Sequence, residues 1–242
     1  MDVVMIPGFW LQDSSWEEAV GPLRAAGHTV HTPTLGGLHA VEEDRSQVTL
    51  ASQVAEVVSL VDDLVVGDES GSQVVLVGHS GGGAIIHAVV DQRPEAIARA
   101  VYVDTWPTAD GQSINEDIPA VGDDIPLPAW DAFGEADLLH LSDELRERLR
   151  TESVPQPVRV ARDPQVLGDQ ARFEVPVTVV ATTFTGEELD GYIASGHPLF
   201  AEFPPMRSVT VVELPTSHWP QLTRPAELGR ILVDAVGASG AA

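Results

Sequence analysis

The sequence predicts an α/β protein in which a mostly parallel sheet is flanked by helices and interrupted once, by an insertion after the strand ending at Val103. Three observations carry this. Residues 73–86 (QVVLVGHSGGGAII) open with Val74, Val75, Leu76 and Val77, an unbroken β-branched run suited to a strand buried on both faces of a parallel sheet. That run passes through Gly78-His79-Ser80-Gly81-Gly82 into a small, apolar stretch suited to a buried helix. The order strand, loop, helix also recurs at the N-terminus, and further short apolar strands follow later in the chain.

In order, residues 3–6 form an apolar run stopped by Pro7-Gly8. Ser15 with Glu18 three residues on reads as a capping box, which predicts a helix over 16–26 ending at Gly27. Residues 28–32 make a second short strand, and Leu50, Val54, Val57, Val58, Val61 and Leu64 recur at helical spacing over 49–64. After the helix that follows Ser80, residues 98–103 (ARAVYV) are another strand. From 108 to 173 the chain is rich in proline, glycine and acid, with one clear helix over 143–149 behind the N-cap candidate Ser142. This stretch reads as a lid on a single domain whose core is 1–107 plus 174–242. Strands over 175–181 and 208–214 resume the sheet, with a helix over 187–194 between them, and Pro225 sits in the first turn of a final amphipathic helix. The tail 237–242 is small and expected to be disordered.

Composition narrows the function. All 13 basic residues are arginine, against 37 acidic ones, for a formal charge of -24. Such a surface repels nucleic acid, anionic membranes and polyanions, so the expected partner is a neutral or cationic small molecule. The absence of cysteine removes thiol catalysis, disulfides and thiolate metal sites. No metal and no cofactor is expected, since no H-E-x-x-H or clustered histidine–acid spacing occurs. A P-loop would need a lysine, and a dinucleotide fingerprint would need G-x-G-x-x-G after the first strand, where only Gly8 is found. With no basic leader and no long apolar run, a cytoplasmic protein is expected. Whether it forms a homodimer stays open.

The G-x-S-x-G motif is informative because a strand precedes it and a helix follows it. A nucleophile elbow strains its serine, so neighbours without side chains are needed, and Gly78, Gly81 and Gly82 supply them. A serine hydroxyl is a weak nucleophile, so Ser80 needs a base and the base needs an acid to orient it. Eight histidines compete. His79 should point away from its neighbour, and His28, His31, His39, His87, His140 and His197 fall in the elbow helix, strand ends, loops or the insertion. His218 follows the last strand in a loop bracketed by Pro215 and Pro220, at the sheet edge that also presents Ser80.

The stretches VVMIPGFWLQDSSW, LVGHSGGG, ARAVYVDTWPTADGQS and LPTSHWPQLTRPAEL resemble the α/β-hydrolase superfamily, within it the small esterase-like members that begin with a Gly-x-Trp loop. The resemblance spans the chain except much of 108–173. It implies Ser80 as nucleophile, His218 as general base, and the backbone N–H groups of Phe9 and Gly81 as the oxyanion hole. Most such relatives have histidine where this chain has Pro7. Most also place the acid just after the strand at 175–181, where this chain reads Thr182-Thr183-Phe184-Thr185-Gly186 without a carboxylate. A minority take it from the preceding strand end, which points to Asp104 and keeps the order serine, acid, histidine. Glu187 and Glu188 stay open, although acids also favour helix N-termini for structural reasons. Trp10, Trp106 and Trp219 flank these loops and, with His79, are expected to line an apolar pocket.

The leading expectation is therefore a serine hydrolase of a small, mostly apolar carboxylic ester or lactone, working through an acyl-enzyme. Serine/histidine lyase-type chemistry on the same scaffold, or a non-catalytic ligand-binding protein, are the alternatives.

Overall fold

A strand whose residues are nearly all apolar must be covered on both faces, and the computed structural model, which describes residues 1–65 and 72–238, buries the central strands of a six-stranded sheet in this way. The strands and helices run β1 (Asp2–Ile6), α1 (Gly21–Ala25), β2 (Thr29–His31), α2 (Leu50–Val65), β3 (Val74–His79), α3 (Gly82–Gln92), β4 (Ile97–Val103), β5 (Asp124–Ile125), α4 (Asp143–Glu152), β6 (Gln156–Pro157), α5 (Val158–Arg162), β7 (Val177–Ala181), α6 (Gly186–Ala194), β8 (Val209–Glu213), α7 (Pro220–Thr223) and α8 (Pro225–Gly237). The main sheet has the order β2-β1-β3-β4-β7-β8, every neighbouring pair parallel.

Side chains alternate across the sheet and sort into two cores. Val4, Ile6, Leu76, Ala100, Tyr102 and Val179 pack with α2 and α3 through Val54, Val57, Val61, Ile86 and Val89. Val3, Met5, Val75, Val77, Val101 and Val103 face the other way, onto Leu23 of α1 and Leu228, Leu232 and Val236 of α8. The central strands β3 and β4 are buried throughout, while the edge strand β8 is largely exposed. From β1 the chain moves outward to β2, then returns to place β3 on the other side of β1. The strand order therefore reverses between β1 and β3, where open α/β sheets form a crevice at their carboxyl ends.

Two local expectations change. The helix predicted over 16–26 is broken into a 3-10 turn, Asp13–Trp16, and the short α1. Pro22 explains the break: lacking an N–H and crowding the turn before it, proline fits a first helical turn but not an interior. Ser15 is accordingly not a cap, and its hydroxyl donates to the Gln12 carbonyl. The helix after Ser142 runs three residues further than predicted, to Glu152, with the Ser142 hydroxyl accepting from Leu145 N–H.

The segment between β4 and β7 contains α4, α5 and the antiparallel β5–β6 pair. Ile125, Leu127, Val154, Val160 and Ala161 join the same buried cluster as α2 and α3, so this segment shares the core of the sheet. Of the tail expected to be disordered, residues 239–242 lie outside the described residues.

Candidate active site

The carboxyl ends of β1, β3, β4 and β7, with the loop after β8, bring the chemistry-bearing residues together. Ser80 follows β3 directly and has φ +49°, a left-handed conformation costing about 1–3 kcal/mol for a residue with a side chain. Its neighbours permit this turn. A Cβ on Gly82 would lie 2.6 Å from the carbonyl oxygens of Ile6 and Pro7, so only glycine lets α3 begin against the end of β1. A Cβ on Gly8 would meet Ser80 Cβ at 2.9 Å and His79 Nδ1 at 2.6 Å.

His218 Nε2 is 2.8 Å from Ser80 Oγ, and His218 Nδ1 is 2.7 Å from Asp104 Oδ2. Asp104 directly follows β4, with φ +48°, and is 5% exposed. Its Oδ1 accepts from the backbone N–H groups of Thr182 and Thr183, and the Thr183 hydroxyl donates to the same carboxylate. Burial pushes this carboxyl up, but the His218 hydrogen bond and charge, with the threonine donors, outweigh it and hold the pKa at about 2.

Glu187 and Glu188 make no contact with His218. Both are exposed at the start of α6, and Glu188 closes a capping box with Thr185. The threonine pair that stands after β7, without a carboxylate of its own, instead receives the carboxylate from adjacent β4. Sequence reasoning missed Thr182 and Thr183 in this part. Two hydroxyl residues where the resemblance leads one to expect an acid were the available signal.

A cavity of about 610 Å³ opens over Ser80, within the range of small-molecule sites. Phe9, Trp10, Gly81, Trp106, Phe133 and His218 line it, and the segment between β4 and β7 contributes much of the rest. Glu116, Asp117 and Asp137 also line it, and no arginine does. Among the described residues, the backbone N–H groups of Phe9 and Gly81 have no hydrogen-bond partner. Trp10, with φ +67°, spends its indole N–H on the Ile125 carbonyl, while its own carbonyl accepts from Val154 N–H. The loop after β1 is thus tied to the segment between β4 and β7.

Two residues expected at the pocket are not there. Trp219 is 1% exposed and packs against Leu11, Leu141 and Leu149, because its ring turns under the loop. His79 is fully buried behind Ser80, as the turn at the elbow sends successive side chains to opposite sides. The remaining histidines lie elsewhere. His31 pairs with Asp2, His87 lies between Tyr102 and Glu202, His140 meets Thr216, and His197 accepts from Leu199 N–H.

A six-stranded parallel sheet with a serine on the turn between β3 and α3, facing a histidine from the loop after β8, is the architecture of an α/β hydrolase. Residues 3–231 match the model of the alpha/beta hydrolase family, and the chain belongs to that family. Among relatives, it is 31% identical over 117 residues to a carbendazim hydrolyzing esterase of Nocardioides sp. (strain SG-4G). That match covers 48% of this chain and 46% of the esterase, about half of each. Among solved structures, it is similar to an extracellular alpha/beta-hydrolase from a Paenibacillus species, at 24% identity and a TM-score of 0.74 over 97% of this chain and 98% of that one. It is also similar to a pyrethroid hydrolase from Sphingobium faniae JZ-2, at 24% identity and a TM-score of 0.67 over 98% of each chain. Among the described residues no helix is long and apolar enough to cross a membrane.

Proposed function

We propose that this chain is a serine hydrolase of small carboxylic esters or lactones. The observation that carries the reading is the unbroken hydrogen-bonded line from Ser80 Oγ through both nitrogens of His218 to Asp104, with the serine at the floor of the cavity. In this line His218 Nδ1–H donates to Asp104, which leaves Nε2 free to take the serine proton.

Ser80 Oγ attacks the ester carbonyl as its proton passes to His218 Nε2. The carbonyl π electrons move onto oxygen, which the N–H groups of Phe9 and Gly81 receive. Collapse expels the alcohol, protonated by His218, and leaves Ser80 acylated. Water, deprotonated by the same nitrogen, then releases the acid and restores the serine. The depressed pKa of Asp104 keeps it anionic throughout, so it stabilises the imidazolium without taking its proton.

Residues 108–173 act as a lid in this reading, supported by the number of cavity-lining residues they supply, Thr108, Ile114, Ile118, Phe133 and Asp137 among them. Aromatic walls favour an apolar acyl or alcohol group, and the carboxylates favour a neutral or cationic substrate over an anionic one. The name of the esterase relative agrees with ester cleavage, and that of the pyrethroid hydrolase with hydrolysis. The test is turnover of p-nitrophenyl butyrate by wild type and Ser80→Ala, with mass spectrometry after a fluorophosphonate. Labelling at Ser80 and loss of turnover in the variant are expected, and undiminished turnover in Ser80→Ala rules the reading out.

A further inference from the structure

His79 stands beside the nucleophile, yet its side chain reaches the main chain of the proposed base. Its Nε2 lies 2.6 Å from the carbonyl oxygen of His218. A carbonyl only accepts, so Nε2 must carry the ring proton, and Nδ1 is left as an acceptor. Gln221 Nε2, at 3.3 Å from Nδ1, supplies the matching donor. His79 and Gln221 are both fully buried, and Trp16 packs edge-on against the His79 ring. Gly8 closes the other side, where a Cβ would overlap Nδ1.

The other end of the same residue is also held. His218 N–H donates to the Asp137 carbonyl at 3.0 Å. The peptide groups on both sides of His218 are therefore fixed, one by the segment between β4 and β7 and one by His79. Because His79 and Ser80 are consecutive, the elbow contacts His218 twice: at the ring through Ser80 Oγ and at the carbonyl through His79 Nε2. The distance between serine and imidazole is then set by a short rigid loop of contacts.

We propose that His79 is a positioning residue for His218, its Nε2–H bond to the His218 carbonyl fixing where the imidazole sits relative to Ser80 Oγ. This rests on the serine-hydrolase reading of the site. The role needs a neutral ring, since a second cation would oppose the imidazolium that forms on His218. Burial, and then the charge of His218, push His79 down to about 3.

The experiment compares His79→Gln, whose amide N–H can replace the Nε2 donor, with His79→Leu, which fills space without one. His79→Leu should lose on the order of 100-fold in kcat, as expected of a misplaced reacting group, with KM within about twofold of wild type. His79→Gln should recover most of that loss, and a merely structural residue would not show this split and rescue. Equal kcat in a folded His79→Leu overturns the proposal. Should that variant not fold, Gln221→Met, which removes only the donor to Nδ1, should lower kcat several-fold at unchanged KM, and no change there overturns it equally. Ring nitrogen NMR shifts, assigned with His79→Gln, should show a neutral Nε2–H tautomer near neutral pH. A charged ring or an Nδ1–H tautomer overturns the bond whatever the activity. Failure of the hydrolase reading looks different: wild type would neither turn over esters nor take up fluorophosphonate.

Discussion

The hydroxyl of Thr183 lies 2.9 Å from Asp104 Oδ2 and 3.1 Å from Oδ1, on the carboxylate that also receives His218 Nδ1. Two strands thus share one acid: β4 delivers it and the end of β7 holds it. Thr183→Val keeps shape and backbone N–H but removes the hydroxyl. A buried carboxylate that loses a donor typically costs about 1–3 kcal/mol, which urea unfolding should read as a lower midpoint at unchanged slope. Loosened aim of the imidazole should also reduce kcat by about tenfold while KM holds.

Asp104→Asn tests the proposed orienter more directly. The amide cannot balance an imidazolium, and its NH₂ would face N–H donors or His218 itself, favouring the wrong tautomer of the base. In a comparable triad that substitution lowers kcat by about 10⁴. Steady-state turnover of p-nitrophenyl butyrate should fall to that extent, and a loss smaller than about tenfold would contradict the assigned role.

Much of this arrangement was legible in the chain. Apolar runs without alternation announced buried parallel strands, and the strand before and helix after Gly78-His79-Ser80 marked the elbow, because local backbone chemistry dictates both. The loop with His218 was legible from its prolines and its place after the last strand. What the sequence could not show was which side chains turn inward. Trp219 and His79 read as pocket residues by proximity along the chain, yet backbone direction at two turns buries them. The Thr182–Thr183 pair escaped notice because its meaning depends on β4 and β7 being neighbours. The helix over 16–26 failed for a local reason that was visible, Pro22 in its middle.

Acid should destabilise the fold in two stages. The pKa of buried His79 is lowered from 6.5 to about 3, and burial lowers His87 too despite Glu202. Between those values the unfolded chain binds protons that the folded one does not, so stability falls as pH drops below 6.5. Each such histidine contributes a slope of up to about 1.4 kcal/mol per pH unit. Asp104 and Glu202 are held at about 2, Glu202 by His87 and Arg172 against its own burial. Their contribution is present above the ordinary carboxylate range and is lost as pH falls towards 2. Urea midpoints should therefore begin to decline just below neutrality, and His79→Gln should flatten the first stage but not the second. A midpoint constant from neutral pH to about pH 4.5 would contradict the burial of neutral histidines.

If the chain cleaves esters as proposed, the cavity lining should make turnover sensitive to substrate charge. Glu116, Asp117 and Asp137 border the space above Ser80 with no arginine among the lining residues, in a protein of net charge -24. A pair of unit charges about 6 Å apart in water-like surroundings interacts by about 0.7 kcal/mol, so the effects of such carboxylates add to a measurable bias before salt screens them. Aromatic faces, here Trp10, Trp106 and Phe133, also attract cations. Butyrylcholine and 3,3-dimethylbutyl butyrate have the same shape and differ in charge, and a butyl hemisuccinate adds the opposite sign. At low salt kcat/KM should rank the cationic ester at or above the neutral one, with the anionic ester at least about tenfold below. High salt, and the pair of substitutions Glu116→Gln and Asp117→Asn, should compress that range. If the anionic ester is cleaved as well as the neutral one at low salt, the carboxylates do not face the bound substrate and its acyl and alcohol groups must lie away from residues 116–117.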